Sequence, residues 1–304
     1  MNSVQSSLRY ARLHWRILAR KTLADALSWL FLSVTLVGSL IAFLPEQEAE
    51  TLRAAVRFCI SSVWPLLLIV LLLVGIAMMV NYPRTKAVYR DANTGIRVIV
   101  ECCDMLHQGG LKVIHTVDTF DTALGTVISP RSLHGAFLKI CEANNVDVDG
   151  QIDRSLRAYK PTRTNKNLPG RKDQYALGTI CPVDVQDEPF CCVAFTHLQP
   201  NGTIEISKDE YIKCMKRMWR NLADPRLRHD TVNVAVMGNS FVDLPPEFST
   251  EQKIDLMLQT FFSSAREKKC CATLRICVHP NNVSDIDFEH YPVIMEHLAK
   301  RPII

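Results

Sequence analysis

The sequence has no pair of cysteines in a Cys-x-x-Cys spacing, and this absence removes the usual signature of a zinc site or a thioredoxin-like redox site. It also has no internal repeat and no low-complexity tract. A hydrophobic content of 48% excludes a disordered chain, and a charged content of 22% is too high for a many-span transporter. The slightly positive mean hydropathy of +0.05 therefore indicates an average over two unlike parts.

The cysteines that are present number eleven, an odd count, and three adjacent pairs occur at Cys102-Cys103, Cys191-Cys192 and Cys270-Cys271. Most of the cysteines lie inside apolar stretches. This pattern is typical of small buried hydrophobic residues in a reducing compartment rather than of a disulfide framework.

Charge is absent from two long apolar runs near the N-terminus, Ala26 to Leu44 and Phe58 to Tyr82. A helix needs ~20 such residues to cross the hydrocarbon core of a bilayer, so each run is long enough to span it. The sequence therefore predicts a membrane anchor over residues 1–83, with two transmembrane helices at about 26–44 and 58–82. Two buried helices of a soluble protein remain an alternative. A cleaved signal peptide fits less well, because a second run follows at once.

The distribution of charge around these runs predicts their orientation. Basic residues precede the first run and follow the second. Those before the first run are Arg9, Arg12, Arg16, Arg20 and Lys21, and those after the second are Arg84, Lys86 and Arg90. The connector between the runs is instead rich in acid, with Glu46, Glu48 and Glu50. By the positive-inside rule, both termini are cytoplasmic, the connector lies outside, and the protein crosses the membrane more than once.

The remainder, residues 84–304, is almost neutral. Residues 1–83 contain seven of the 35 basic residues and four of the 31 acidic ones, so the rest of the chain has a net charge near +1. Without a basic cluster, this part of the chain is not expected to bind nucleic acid. Most of the net charge of +4 thus comes from the predicted membrane anchor and reflects its orientation in the membrane.

Strand-like and helix-like segments alternate along residues 84–304. The predicted strands are Ile96–Cys102, Leu111–Val117, Tyr175–Val183, Pro189–Thr196, Thr231–Met237 and Thr273–His279, and the predicted helices are Leu133–Asn144, Lys208–Leu222, Glu251–Arg266 and Ile286–Lys300. Capping boxes that begin at Ser207 and Ser249 mark two of the helix starts. Residues 159–173 read as a long polar loop. The pattern predicts a cytoplasmic α/β domain with a mixed sheet.

Two passages in which a strand runs into a loop are candidates for ligand binding. The first covers residues 117–135 and the second residues 234–241, where a strand leads directly into the turn that contains Gly238. Backbone amides at such places cradle phosphate groups, because glycine permits close approach and a helix N-terminus favours an anion. Taken alone the signal is weak, since most glycine turns after strands bind nothing.

At this point the residues resemble a known family. The order Asp104-Met105-Leu106, Phe120-Asp121-Thr122 and Ile128-Ser129-Pro130-x-Ser132-Leu133-His134-Gly135 is similar to the macro-type domain of Thoeris ThsA effectors. Ala194-Phe195-Thr196-His197, Ser207-x-x-Glu210-Tyr211-Ile212, Trp219 and the strand that ends at Gly238 continue the resemblance. It covers about residues 84–279, and the two spans before such a domain match the membrane-bound branch of the family.

The resemblance implies a macro-like fold with a site for an ADP-ribose-type ligand. Asp104 would accept a hydrogen bond from an adenine amine. The first phosphate loop would include Phe120, Asp121, Thr122, Ser132, His134 and Gly135, and the second Gly238, Asn239, Ser240 and Phe241. Ser240 departs from the family pattern, which has a second glycine there, and so puts the pyrophosphate contact of the second loop in doubt.

Each of these residues also has a purely structural interpretation. Asp121 fits an Asx turn, His134 a helix cap or a core histidine, and Asp104 a cap of the following turn. His115 and His197 lie within strand-like runs and are interpreted as structural.

Two functions of different classes follow. The resemblance implies a membrane-anchored effector of bacterial antiphage defence. Its domain would sense an ADP-ribose-derived signal, such as a histidine conjugate, made by a TIR-domain partner. It would then form homo-oligomers that disrupt the membrane and arrest growth. The alternative is a membrane-tethered hydrolase of ADP-ribosyl or related phosphate esters, with His134 or Asp121 as acid or base. No G-x-S-x-G elbow, metal-ligand spacing or paired base and nucleophile supports catalysis, so neither enzyme activity, a metal nor a cofactor is expected.

Overall fold

The computed structural model describes residues 15–61, 63–81, 84–238 and 248–300. The chain divides into two compact units, Ser7–Arg84 and Thr85–Ile304, and each is described here by itself.

The first unit is helical. Its helices are α1 (Trp15–Phe43), α2 (Glu46–Ser61) and α3 (Val63–Val80). Small side chains permit close helix packing, and Ala26 of α1 and Ala77 of α3 are both buried. A hydrogen bond of 2.7 Å from the Nδ2 of Asn81 to the Oδ2 of Asp25 joins the end of α3 to α1.

Of the described residues, one helical segment is long and apolar enough to cross a membrane, Ala19–Phe43, which covers the first predicted span, 26–44, except for its last residue. The second predicted span, 58–82, is divided between α2 and α3, and its apolar described part is the shorter segment Leu67–Val80. The second span therefore stays a prediction. The predicted connector forms most of helix α2, which the sequence analysis did not foresee.

The second unit is built on an eight-stranded mixed sheet. Its strands are β1 (Lys86–Arg90), β2 (Arg97–Cys102), β3 (Leu111–Val117), β6 (Ile180–Val185), β7 (Glu188–Leu198), β8 (Ile204–Glu205), β9 (Thr231–Ala235) and β10 (Thr273–Val278); β4 (Arg163–Thr164) and β5 (Asp173–Gln174) form a separate pair. The strand order is β1-β2-β10-β9-β3-β7-β6, with β8 beside β7. The five central strands are parallel, so their C-terminal ends meet at one edge of the sheet.

The pairing of β3 with β7 changes register near this edge. Thr116 lies opposite Ala194, but the next residue, Val117, lies opposite Thr196. Phe195 is therefore the extra residue of a bulge. Bulges re-aim side chains and are frequent beside functional sites.

Helices cover both faces of the sheet. On one face, α4 (Leu133–Ala143) packs against β3 and α5 (Val148–Leu156) against β6. The other face is covered by α6 (Lys208–Leu222), α7 (Thr250–Glu267) and α8 (Tyr291–Lys300). The core includes ring contacts on this second face, such as Trp219 with Phe261 at 5.2 Å between centroids. The predicted α/β domain with a mixed sheet is thus confirmed.

Most predicted elements of this unit are found, with two informative differences. Predicted strand 175–183 begins only at Ile180, because Gly178 has a φ of +83° and a Cβ there would lie 2.7 Å from the carbonyl oxygen of Cys214. Predicted helix 286–300 begins only at Tyr291, after a short 3₁₀ segment at Pro280–Asp285. Strand β1 and helix α5 were not predicted, since both are short and rich in charge.

The packing of α6 on α7 leads to a prediction. Replacement of the fully buried Phe261 by alanine should lower the free energy of unfolding by about 3–5 kcal/mol, because it leaves a cavity against Trp219. Val293→Ala is the control, since Val293 is 67% exposed and should change it little. Denaturant unfolding measures both. Equal, small effects would contradict this description of the core.

Candidate ligand-binding site

A cavity of about 310 Å³ lies at the C-terminal ends of β3 and β7, beside the N-terminus of α4. Its walls come from four segments of the chain: the end of β3 (His115, Thr116, Val117), the loop and first turn of α4 (Val127, Ile128, Ser129, Ser132, His134), the bulge of β7 (Phe195, Thr196) and the turn before and start of β8 (Gly202, Thr203, Ile204). Ligands in α/β folds bind at this edge of the sheet. The first predicted loop thus supplies one wall.

The start of α4 is fixed by its own preceding loop. The hydroxyl of Ser132 accepts a hydrogen bond from the Gly135 amide at 2.9 Å and donates one to the carbonyl oxygen of Ser129 at 2.8 Å. Ser132 is therefore the N-cap. Gly135 has no room for a side chain, because a Cβ would lie 2.2 Å from the carbonyl oxygen of Ser129. Gly135 thus serves the packing of the cavity wall.

Two histidines, His115 and His134, line the cavity, and the protonation of one disfavours that of the other. Burial lowers the pKa of His134 to about 3, with a further lowering by His115, and burial lowers the pKa of His115 to about 4. Both rings are therefore uncharged at neutral pH. Among the described residues, the Nε2 of His134 and the Nδ1 of His115 find no hydrogen-bond partner. Buried polar atoms without partners are rare, and these two nitrogens are open to a hydrogen bond with a molecule in the cavity.

The chemistry of this cavity is that of an uncharged, hydrogen-bonding pocket. Its described lining residues include no lysine, arginine or carboxylate, but they offer hydroxyls and the two imidazoles. The positive end of the α4 dipole adds a preference for negative charge near Ser132. Such a pocket binds a polar ligand through directional hydrogen bonds and weak dipolar attraction, without an ion pair.

Three other predicted residues of the first loop lie outside this lining. Asp121 is buried, and its carboxylate accepts hydrogen bonds from the amides of Ala123 at 3.0 Å and Arg171 at 2.6 Å. Thr122 donates to Asp149 of α5 at 2.8 Å. Phe120 is fully buried at a φ of +51°, a conformation that costs a bulky residue energy. These side chains hold the loop in place in this structure.

The remaining predicted residues belong to neighbouring strand ends. Asp104 follows β2 and caps a short 3₁₀ turn, where its carboxylate accepts from the Leu106 amide at 3.0 Å and contacts the His107 ring. Gly238 follows β9 with a φ of +85°. Since β2 and β9 run parallel to β3, their C-terminal ends lie at the same edge of the sheet as the cavity. Asp104 and Gly238 are therefore both at that edge. Asn239, Ser240 and Phe241 lie outside the described residues.

The sequence analysis missed the wall that β7 and β8 contribute, including Phe195, Thr203 and Ile204. It also treated His115 as structural, although its ring lines the cavity and lies 5.7 Å from that of Phe195. Only the pairing of β3 with β7 brings these distant residues together, and no local pattern signals it.

A second polar cluster lies next to the cavity and has a different character. The buried carboxylate of Asp118 accepts hydrogen bonds from the Gln174 amide at 2.9 Å and the Leu198 amide at 3.1 Å, and contacts the Nδ1 of His197 at 2.7 Å. The hydrogen bond that Asp118 accepts from His197 raises the pKa of His197. The cluster ties the ends of β3, β5 and β7 together. Across the described part of the chain, no group of His, Cys, Asp and Glu residues is arranged to hold a metal ion.

A mixed α/β sheet with a cavity at the ends of its parallel strands defines a ligand-binding domain of the α/β class. Residues 98–279 match the family model described as Thoeris protein ThsA, Macro domain. The match covers more than half of the chain, and the chain belongs to this family. The resemblance inferred from the sequence is thereby confirmed.

Comparison with solved structures finds macrodomains. A variant of the Oceanobacillus iheyensis macrodomain with ADPR has a TM-score of 0.42 and 11% identity, covering 71% of this chain and 100% of that chain. The macrodomain of the same organism with MES bound has a TM-score of 0.38 and 10% identity, covering 70% of this chain and 93% of that chain. No curated protein matches the chain.

The contact between Gly135 and Ser129 leads to a prediction. Gly135→Ala should lower the free energy of unfolding by about 1–3 kcal/mol, since either the loop or the helix must move to admit the methyl group. Gly109→Ala is the matched control, because a Cβ there meets no atom within 4 Å. Denaturant unfolding of both variants measures the difference, and equal stabilities would contradict the close packing at α4.

The uncharged histidines predict a dependence of stability on pH. Below the ordinary pKa of about 6.5, the unfolded chain takes up protons that the folded chain excludes down to about pH 4, so stability falls as the pH falls. Between pH 7 and pH 5 each histidine should account for a loss on the order of 2 kcal/mol.

Denaturant unfolding at the two pH values checks this. His134→Gln should reduce the acid-induced loss, whereas His297→Gln, at an exposed position of α8, should leave it unchanged. An unchanged loss in His134→Gln would show that His134 is charged in the folded protein and would overturn this description.

Proposed function

We propose that the cavity between β3, β7 and α4 binds an ADP-ribose-derived ligand and that the chain is a membrane-anchored effector of Thoeris antiphage defence. The observation that carries the proposal is the position of this cavity inside the ThsA macro-domain match, with the unpartnered nitrogens of His115 and His134 in its wall. The membership of residues 98–279 in the ThsA macro-domain family supports the choice of ligand class.

The geometry supports a divided recognition of such a ligand. The uncharged imidazoles and hydroxyls of the cavity suit the hydroxyl or heteroaromatic groups of the ligand, which exchange hydrogen bonds with neutral partners. A pyrophosphate instead suits the N-terminus of α4 and the turn at Gly238 on the same sheet edge. Asp104 follows β2 at the same sheet edge and would accept a hydrogen bond from an adenine amine.

The rest of the proposal concerns the response to the ligand. A TIR-domain partner would supply the signal, and binding would favour one assembly of the membrane helices over another. A ligand has this effect only if it binds the two assemblies with different affinity. Gly38 and Ala42, four residues apart on α1, form a seam of small residues on one face of the helix. Both are exposed, and a Cβ at Gly38 would meet nothing within 4 Å, so this seam is open to a second copy of the helix. Clustered helices would then perturb the inner membrane.

Hydrolysis of ADP-ribosyl esters is the alternative, and the environment of His134 argues against it. A general base is most effective when its pKa lies near the working pH. Burial lowers the pKa of His134 to about 3, so the basicity of its ring is low. Stoichiometric binding without product favours the sensor, and turnover favours the hydrolase.

Calorimetry tests the ligand site. The full chain in nanodiscs should bind ADP-ribose or one of its conjugates, and His134→Gln should weaken binding by roughly tenfold or more, since a hydrogen bond in a buried site is lost. Thr203→Phe, at the exposed mouth of the cavity, should weaken it by steric exclusion without a change in the core. His297→Gln is the matched control and should bind as the unaltered chain does. If no conjugate binds, or if both cavity variants bind normally, the site assignment fails.

Dye release from vesicles tests the response. Vesicles that contain the full chain should leak when the ligand identified by calorimetry is added, and Gly38→Leu should reduce leakage while ligand affinity is retained. The physical reason is that a large side chain blocks close approach of helices at the open seam. Leakage that does not depend on the ligand would contradict the membrane-effector part of the proposal and leave the binding part intact.

A further inference from the structure

The hairpin of β1 and β2 presents basic side chains in register on one face. Arg90 lies opposite Arg97, and Lys86 lies opposite Glu101. Residues directly opposite each other in a strand pair lie on the same face of the sheet. The side chains of Arg90, Arg97 and Lys86 are exposed, and Val88 between them is 38% exposed. This surface is called the basic hairpin face below.

The charges of this face are incompletely neutralised. Glu101 is shared by Lys86 at 3.2 Å and by the Nε of Arg275 at 3.5 Å. Arg90 and Arg97 form no ion pair or hydrogen bond through their side chains within the described ranges of the chain. Like charges directly opposite each other destabilise a strand pair. The arrangement is therefore stabilised when anions lie against it.

The helix contacts of β1 lie on its other face. Tyr89, which points to the other face of β1, packs against Phe262 of α7, and α8 also contacts β1. Helices α4 and α5 pack over β3 and β6, which are separated from the hairpin by β10 and β9 in the strand order. The exposed arginines are thus available to a partner.

The position of the hairpin in the chain indicates which partner. Five residues lie between Val80, the end of apolar helix α3, and Lys86, the start of β1. Such a connection reaches at most roughly 20 Å. If α3 ends at the membrane surface, as the proposed function requires, the basic hairpin face begins within this distance of the phospholipid headgroups.

We propose that the basic hairpin face binds the anionic headgroups of phospholipids, through Arg90 and Arg97 above all, and so holds the sheet edge against the membrane. The proposal rests on the proposed membrane anchor. Anionic lipid complements the excess positive charge, and Arg90 and Arg97, which lie opposite each other, are presented on one face of the hairpin. Each arginine near an anionic membrane should shift the docked-to-undocked ratio by about fivefold at moderate salt.

Energy transfer in vesicles tests this surface with the full chain. The ten cysteines whose side chains are described are buried, so Ala92→Cys in the exposed turn between β1 and β2, in a Cys59→Ser background, accepts a fluorophore. The acceptor is a headgroup-labelled lipid. Transfer should rise when phosphatidylglycerol replaces part of the phosphatidylcholine and should fall at high salt, because surface charge is then screened.

Arg90→Gln with Arg97→Gln should abolish the rise, and Lys160→Gln with Lys166→Gln, which removes two exposed cations elsewhere, should preserve it. A rise that the arginine variant retains would overturn the proposal, as would transfer that is insensitive to phosphatidylglycerol. Flotation separates this result from failure of the anchor. A chain that floats only with phosphatidylglycerol vesicles, and not after the arginine changes, supports the basic hairpin face and contradicts the anchor. A chain that floats with neither composition contradicts both.

Discussion

The shift of register between β3 and β7 is the constraint on which the candidate site depends. Because Phe195 is the extra residue, Thr116 pairs with Ala194 while Thr196 pairs with Val117, and both threonines line the cavity. The Phe195 ring packs on both His115 and Tyr211, at 5.7 and 5.6 Å between centroids. The bulge thus couples the cavity wall to helix α6 and fixes its shape before any ligand binds.

Burial explains why the two histidines of the cavity are uncharged. The rings of His115 and His134 lie among apolar neighbours, and desolvation removes their protons at neutral pH. Charged chemistry lies nearby but is occupied. The Asp118 carboxylate is satisfied by Gln174, Leu198 and His197, and that of Asp121 by backbone amides. The carboxylates of Asp118 and Asp121 therefore hold loops in place, and the cavity lining presents neutral hydrogen-bonding groups.

The sequence predicted the alternation of strands and helices well, because hydrophobic period and capping boxes are local signals, as at Ser207 and Ser249. Two of the residues that it singled out, Ser132 and His134, line the cavity. The sequence could not separate them from Asp121, whose partner, the Arg171 amide, lies 50 residues away. The β7–β8 wall was missed for the same reason: long-range strand pairing creates it. The role of Gly135 needed the distance to Ser129, which no pattern reveals.

The central claim is that two uncharged histidines recognise an ADP-ribose-type ligand, and imidazole ¹⁵N NMR tests it most directly. On addition of saturating ADP-ribose to the full chain in nanodiscs at pH 7, the nitrogens of His115 and His134 should shift as they gain hydrogen-bond partners, while both rings remain neutral. The exposed ring of His297 should not change. Saturable binding that leaves the resonances of His115 and His134 unmoved, or that moves them to the positions of a protonated imidazolium, would contradict the account.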